Sequence, residues 1–141
     1  MVTITINGKT VQVEEGKNIL QAARENGYII PSLCYLKDIN EVAACRVCVV
    51  EVEGSDRLVP SCATPVEEGM VIYTNSPRVI RARKTNVRLI LSSHESNCPY
   101  CSRNMNCTLQ SLAADMDILY RAYEKKYHED EWDHALPIIR H

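Results

Sequence analysis

The sequence predicts an α+β fold, a mixed sheet holding one helix across its face and, after it, a small helical module. Three observations carry that expectation. Val2, Ile4 and Ile6 alternate with Thr3 and Thr5, Asn7-Gly8 interrupts, and Val11 and Val13 resume the alternation, so the chain opens as a hairpin. One short amphipathic segment separates this hairpin from further strand-like runs. At Ser76-Pro77 the composition changes, and the chain beyond reads as helix.

Taken in order, the Asn-Gly pair tolerates the positive φ of a two-residue hairpin turn. Asn18 then precedes Ile19-Leu-Gln-Ala-Ala-Arg-Glu-Asn, with Gln21 three residues on as in a capping box and Gly27 where the helix stops. Pro31 forces extended chain that leads into Cys34. Val49-Val-Glu-Val-Glu is a strand closed by Gly54-Ser55, a short apolar piece around Leu58 and Val59 delivers Cys62, and Gly69-Met-Val-Ile-Tyr-Thr is a further strand. With a long loop between the helix and the third strand, this order is that of a β-grasp sheet. Ser76 as N-cap and Pro77 at the first turn begin a helix that runs to Ser92, with Ile80, Val87 and Leu91 expected as its apolar stripe and Arg78, Arg81, Lys84 and Arg88 as its basic one. Thr108 is expected to cap a last helix bearing Leu109, Leu112, Ala113, Met116 and Tyr120. The expected division is 1–75, 76–125 and an extended tail or linker at 126–141.

Composition excludes several classes. Sixteen basic and eighteen acidic residues in 141 nearly cancel, which predicts neither nucleic acid nor an anionic membrane surface as the main partner. No run approaches the ~18 apolar residues of a membrane span. The first residues are too short and too alternating for a secretory signal, and the expected compartment is the cytoplasm. Seven cysteines cannot all pair as disulphides, and in a reducing compartment such spacings read as metal ligands.

Those ligands form two sets. Cys34, Cys45, Cys48 and Cys62 stand at intervals of ten, two and thirteen residues, and four thiols converging on one place in the fold make a metal site. The pattern resembles the plant-type 2Fe-2S arrangement, whose first gap is shorter. A thioredoxin-like pair at Cys45 and Cys48 lacks the βαβ context and precedes a strand instead of opening a helix. Ala43 and Ala44 are small enough to let backbone N–H groups approach a cluster, and Arg46 offers a positive charge. The second set is His94-x3-Cys98-x2-Cys101-x5-Cys107, four ligands inside fourteen residues, and with it every cysteine is assigned. Cys3His is also an ordinary tetrahedral zinc set. A compact C-x2-C with a third Cys close behind favours a 4Fe-4S cluster, and the first set already implies cluster delivery to this chain. His128, His134 and His141 have no such company. No Gly-rich nucleotide loop, nucleophile motif or open metal position marks a catalytic site.

With Ala44-Cys-Arg-Val-Cys-Val-Val-Glu-Val-Glu-Gly54, Glu68-Gly-Met70 and the His94 to Cys107 run together, residues 1 to 120 resemble the amino-terminal part of the large iron-sulphur subunit of respiratory complex I. They resemble still more closely the corresponding part of iron-iron hydrogenases and of NAD-linked formate dehydrogenases, including electron-bifurcating ones. This resemblance accounts for the ten-residue first gap. It implies one 2Fe-2S cluster on Cys34, Cys45, Cys48 and Cys62 in a ferredoxin-like β-grasp domain, and one 4Fe-4S cluster on His94, Cys98, Cys101 and Cys107. It further implies single-electron relay between a flavin-bearing NAD(P)H dehydrogenase subunit and a hydrogenase, formate dehydrogenase or complex I-like assembly. In larger relatives more 4Fe-4S motifs and a catalytic domain follow, so the chain is expected to be either a small separate subunit or the front of a longer protein. The competing expectation is a non-redox β-grasp interaction module with a structural zinc site.

Overall fold

The computed structural model describes residues 1–120 and Tyr123. The expected tail at 126–141, with its three histidines, lies outside the described residues.

The hairpin forms as the alternation requires. β1 (Val2–Ile6) and β2 (Lys9–Val13) pair antiparallel, Val2 opposite Val13, through a turn in which Asn7 and Gly8 both have positive φ, 50° and 85°. β3 (Val49–Val52), β4 (Val59–Pro60) and β5 (Val71–Tyr73) complete a five-stranded sheet in the order β2-β1-β5-β3-β4. β5, last in the chain, slots between β1, its parallel neighbour, and β3, its antiparallel one.

α1 (Ile19–Glu25) begins with a complete capping box, in which the Asn18 side chain accepts from the Gln21 N–H and the Gln21 side chain accepts from the Asn18 N–H. It buries Ile19, Leu20, Ala22 and Ala23 against Ile4, Ile6, Val50 and Ile72 of the sheet, forming the larger core. Cys48 and Cys62 belong to that core.

α2 (Pro77–Ser93) starts at the Ser76 cap with Pro77 in the first turn, as expected. Of the expected apolar stripe, Val87 is buried and Leu91 packs against the second core, and Ile80 is the departure. Val79, Arg83 and Val87 are buried, four residues apart each time, while Ile80 is 51% exposed. The rotation follows from the sheet, because β3 offers a backbone carbonyl that draws Arg83 inward.

The last helix is shorter than its sequence pattern. α3 (Thr108–Asp115) is capped by Cys107, without a side-chain cap bond, so Thr108 is its first residue and not its cap. It ends before Met116, and Tyr120 lies beyond it, exposed. A second, smaller core joins Val47, Val87 and Leu112, with Leu33, Cys45, Ile90, Leu91 and Leu109 against it. Val47 is the residue inside the Cys45-x2-Cys48 loop. That loop is therefore the joint between sheet and helices. Among the described residues, no helix is long and apolar enough to cross a membrane.

Candidate metal centres

Cys48 and Cys62 are brought together by the β3–β4 ladder. Val49 pairs with Pro60, and one step further both the N–H and the hydroxyl of Ser61 donate to the Cys48 carbonyl, at 3.2 and 2.7 Å. The two sulphurs are left 3.3 Å apart, each in a residue 1% exposed. Burial raises the Cys62 thiol, and the neighbouring Cys48, Cys34 and Cys45 sulphurs add to that, pushing it up to about 12. All four sulphurs thus lie within one another's field.

Cys45 sits in the opposite electrostatic setting. Burial alone would raise its thiol, but backbone N–H groups of Val47, Leu33 and Cys34 and the Cys34 thiol donate to it and bring it below the ordinary thiol value. The loop carries left-handed backbone at Asp38, Ala43 and Arg46, none of them glycine, and Arg46 stands directly before the Val47 donor. Among the described residues no three His, Cys, Asp or Glu side chains form a group that could close on a single metal ion. Within that shared field the thiols stand as two linked pairs, Cys34 with Cys45 and Cys48 with Cys62. Pairs suit a binuclear centre, in which the four thiolates are shared between two irons. An all-sulphur donor set with inward-pointing N–H groups fits such a cluster.

Several supporting side chains carry no signal in the spacing. The capping residues of α1 do double duty, since Asn18 Nδ2 donates to the Cys62 carbonyl at 3.0 Å and Gln21 Nε2 donates to the Tyr35 hydroxyl at 2.9 Å, next to Cys34. Asn40 Nδ2 donates to the Cys34 carbonyl, and Asn86 Nδ2, from α2, to the Arg46 carbonyl at 2.6 Å. Arg83 reaches the same strand end, with Nε and Nη2 donating to the Val49 carbonyl at 3.1 and 2.7 Å. Burial lowers its guanidinium to about 10, opposed by the Cys48 charge, so it stays protonated at neutral pH. Of these, Arg83 could have been found in the sequence, as a charge at the four-residue spacing of Val79 and Val87. Arg46, expected beside the cluster as a charge, has an exposed side chain, and its carbonyl is the group the fold uses.

The second set is differently built. His94 is the C-cap of α2, Cys98 opens a single 3-10 turn (Cys98–Tyr100), Cys101 closes it, and Cys107 caps α3. The four are thus placed at the ends of three elements. The Arg103 N–H donates to the Cys101 sulphur at 3.4 Å. Cys101 and His94 are exposed, and no residue from 93 to 108 is buried. Three thiols and one imidazole remain chemically suited to iron or zinc.

Known proteins share both regions. Residues 1–77 match the family model of a 2Fe-2S iron-sulfur cluster binding domain, and residues 83–121 match that of the NADH-ubiquinone oxidoreductase-G iron-sulfur binding region. The NADP-reducing hydrogenase subunit HndD of Solidesulfovibrio fructosivorans is 50% identical over 129 residues, 88% of this chain and 22% of that protein. The NADH-ubiquinone oxidoreductase 75 kDa subunit of Reclinomonas americana is 38% identical over 129 residues, 92% of this chain and 18% of that protein. A chain in the crystal structure of an NAD+-reducing [NiFe]-hydrogenase in the H2-reduced state superposes with a TM-score of 0.84 at 29% identity, over 96% of this chain and 57% of that one. The chain thus spans a minor part of the two sequence relatives and little more than half of the structural one.

Proposed function

Because the chain belongs to the 2Fe-2S iron-sulfur cluster binding domain family, continued by the NADH-ubiquinone oxidoreductase-G iron-sulfur binding region, we propose that it is an iron-sulphur electron-transfer subunit or domain. It relays single electrons between a flavin-bearing, NAD(P)H-oxidising subunit and downstream clusters of a hydrogenase, formate dehydrogenase or complex I-like assembly, in the cytoplasm. Cys34, Cys45, Cys48 and Cys62 hold one 2Fe-2S cluster, and His94, Cys98, Cys101 and Cys107 hold one 4Fe-4S cluster. When bound, the clusters supply reversible one-electron chemistry. The division of labour is a 2Fe-2S domain over 1–75 and a 4Fe-4S domain over 76–125.

The observation that carries this reading is the pairing of four thiols in one field, with Cys48 and Cys62 at 3.3 Å and N–H groups aimed at Cys45. Such donors delocalise thiolate charge and favour the reduced state of a bound cluster. No family match favours the zinc alternative, and both matched models describe iron-sulphur binding. Anaerobic purification tests the proposal. About six irons and six acid-labile sulphides per chain are expected from one two-iron and one four-iron cluster. A colourless protein holding zinc would end it. A flavoprotein co-purifying with the chain is the expected partner.

A further inference from the structure

Arg83 is the one buried ionised side chain among the described residues, 4% exposed, and it has no ion-pair partner among them. Its Nε and Nη2 share the Val49 carbonyl and its Nη1 donates to Asn75 Oδ1 at 3.4 Å. Asp115 and Asp117 line the same groove of about 420 Å³, yet neither pairs with it. A buried guanidinium without a counter-ion costs several kcal/mol in general, and a helix that wanted only packing at this position would carry an aliphatic side chain, as at Val79 and Val87. The anion within reach is the first thiol set. Val49 follows Cys48 directly, so a guanidinium bonded to the Val49 carbonyl lies beside a member of that set. Two ferric irons, two sulphides and four thiolates carry a net negative charge, which grows by one on reduction.

We propose that Arg83 is the buried counter-charge of the 2Fe-2S site, a positioning residue supplied by the helical module that raises the reduction potential of the cluster in the sheet. The proposal rests on the assignment of that cluster to Cys34, Cys45, Cys48 and Cys62. Because the charge is fixed and dry, it favours the more negative, reduced state. Because it comes from α2, the sheet domain reaches its working potential only with the helical module docked. Arg81, on the same helix, carries its charge in solvent with Nε donating to the Pro77 carbonyl, and is the natural control.

The test is a redox titration of the reconstituted full chain followed by EPR, reading both clusters. Arg83→Gln is expected to lower the midpoint of the two-iron signal by about tenfold in its reduction equilibrium, ~59 mV for a one-electron couple. Arg83→Lys should restore most of the shift, Arg81→Gln should leave the midpoint in place, and the second cluster should not move. An unchanged two-iron midpoint in Arg83→Gln, or an equal fall in Arg83→Lys, overturns the proposal and leaves a hydrogen-bonding strap. If Arg83→Gln does not hold a cluster, Asn75→Asp decides, since a carboxylate beside the guanidinium offsets its charge with the arginine in place. A lowered midpoint there supports the proposal, and an unchanged one overturns it. Failure of the wild-type chain to assemble a two-iron cluster shows in the visible spectrum before any titration, and refutes the cluster assignment together with the role of Arg83.

Discussion

Cys48 and Cys62 end the strands of a hydrogen-bonded ladder, inside the larger core, with their sulphurs 3.3 Å apart. His94, Cys98, Cys101 and Cys107 instead occupy caps and a single turn on a surface with no buried residue from 93 to 108. The donors are nearly the same, yet the free energy that organises them comes from different sources. In the first set, burial of Ile4, Ile6, Leu20, Val50 and Ile72 holds the sheet that presents the thiols, so the protein assembles the site before any metal arrives. In the second, bonds between near neighbours in the chain, such as Cys101 N–H to the Cys98 carbonyl and Met105 N–H to Gln110 Oε1, shape the loop, and a bound metal would supply much of the organising energy itself.

Breaking one ligand in each set sharpens that contrast most. Cys62→Ser should abolish the two-iron spectrum and, in metal-free protein, lower stability by about 1–3 kcal/mol, because a hydroxyl replaces a buried thiol beside Cys48. Cys101→Ser should remove the other cluster while metal-free stability stays within about 0.5 kcal/mol. Equal losses in chemical denaturation of the two variants would count against unequal foundations. His94→Cys is expected to lower the midpoint of the second cluster alone, since a thiolate replaces a neutral imidazole, and an EPR titration showing a raised or unchanged midpoint would contradict this. Val47→Ala should cost about 2 kcal/mol and loosen both regions together, because Val47 belongs to the loop of one site and the core of the other. Hydrogen exchange that rises in residues 1–46 or 78–115 but not both would show that the joint lies elsewhere. The smallest change is Asn18→Ala, about 1 kcal/mol from the lost cap, with faster loss of iron to a chelator from the two-iron site only.

The helix faces show how far local pattern reaches. Both hairpin strands, the capping box at Asn18 and Gln21 and the Ser76-Pro77 start are legible because turns and caps are written in residues that touch within a few positions. Ile80 was legible only as an apolar residue at a helical period, and the docked helix turned it outward. The overlong last helix has the same origin. Met116 and Tyr120 keep the period of Leu109 and Leu112, but the backbone leaves the helix after Asp115, at Met116, and Asp117 takes positive φ. Asn18 was readable as a cap and not as the group that holds the Cys62 carbonyl, 44 residues on.

By itself, the sequence determined the strand order up to pairing, the division into a sheet part and a helical part, and the eight candidate ligands, because periodicity, turn chemistry and ligand spacing are properties of neighbours along the chain. The tertiary structure decided which strand β5 inserts beside, that the thiols come as two pairs, that Val47 joins the two parts, and that Arg83 is buried on a carbonyl 34 residues before it. Each of these depends on a partner brought near only by folding, and a charge goes inside only where such a partner is waiting.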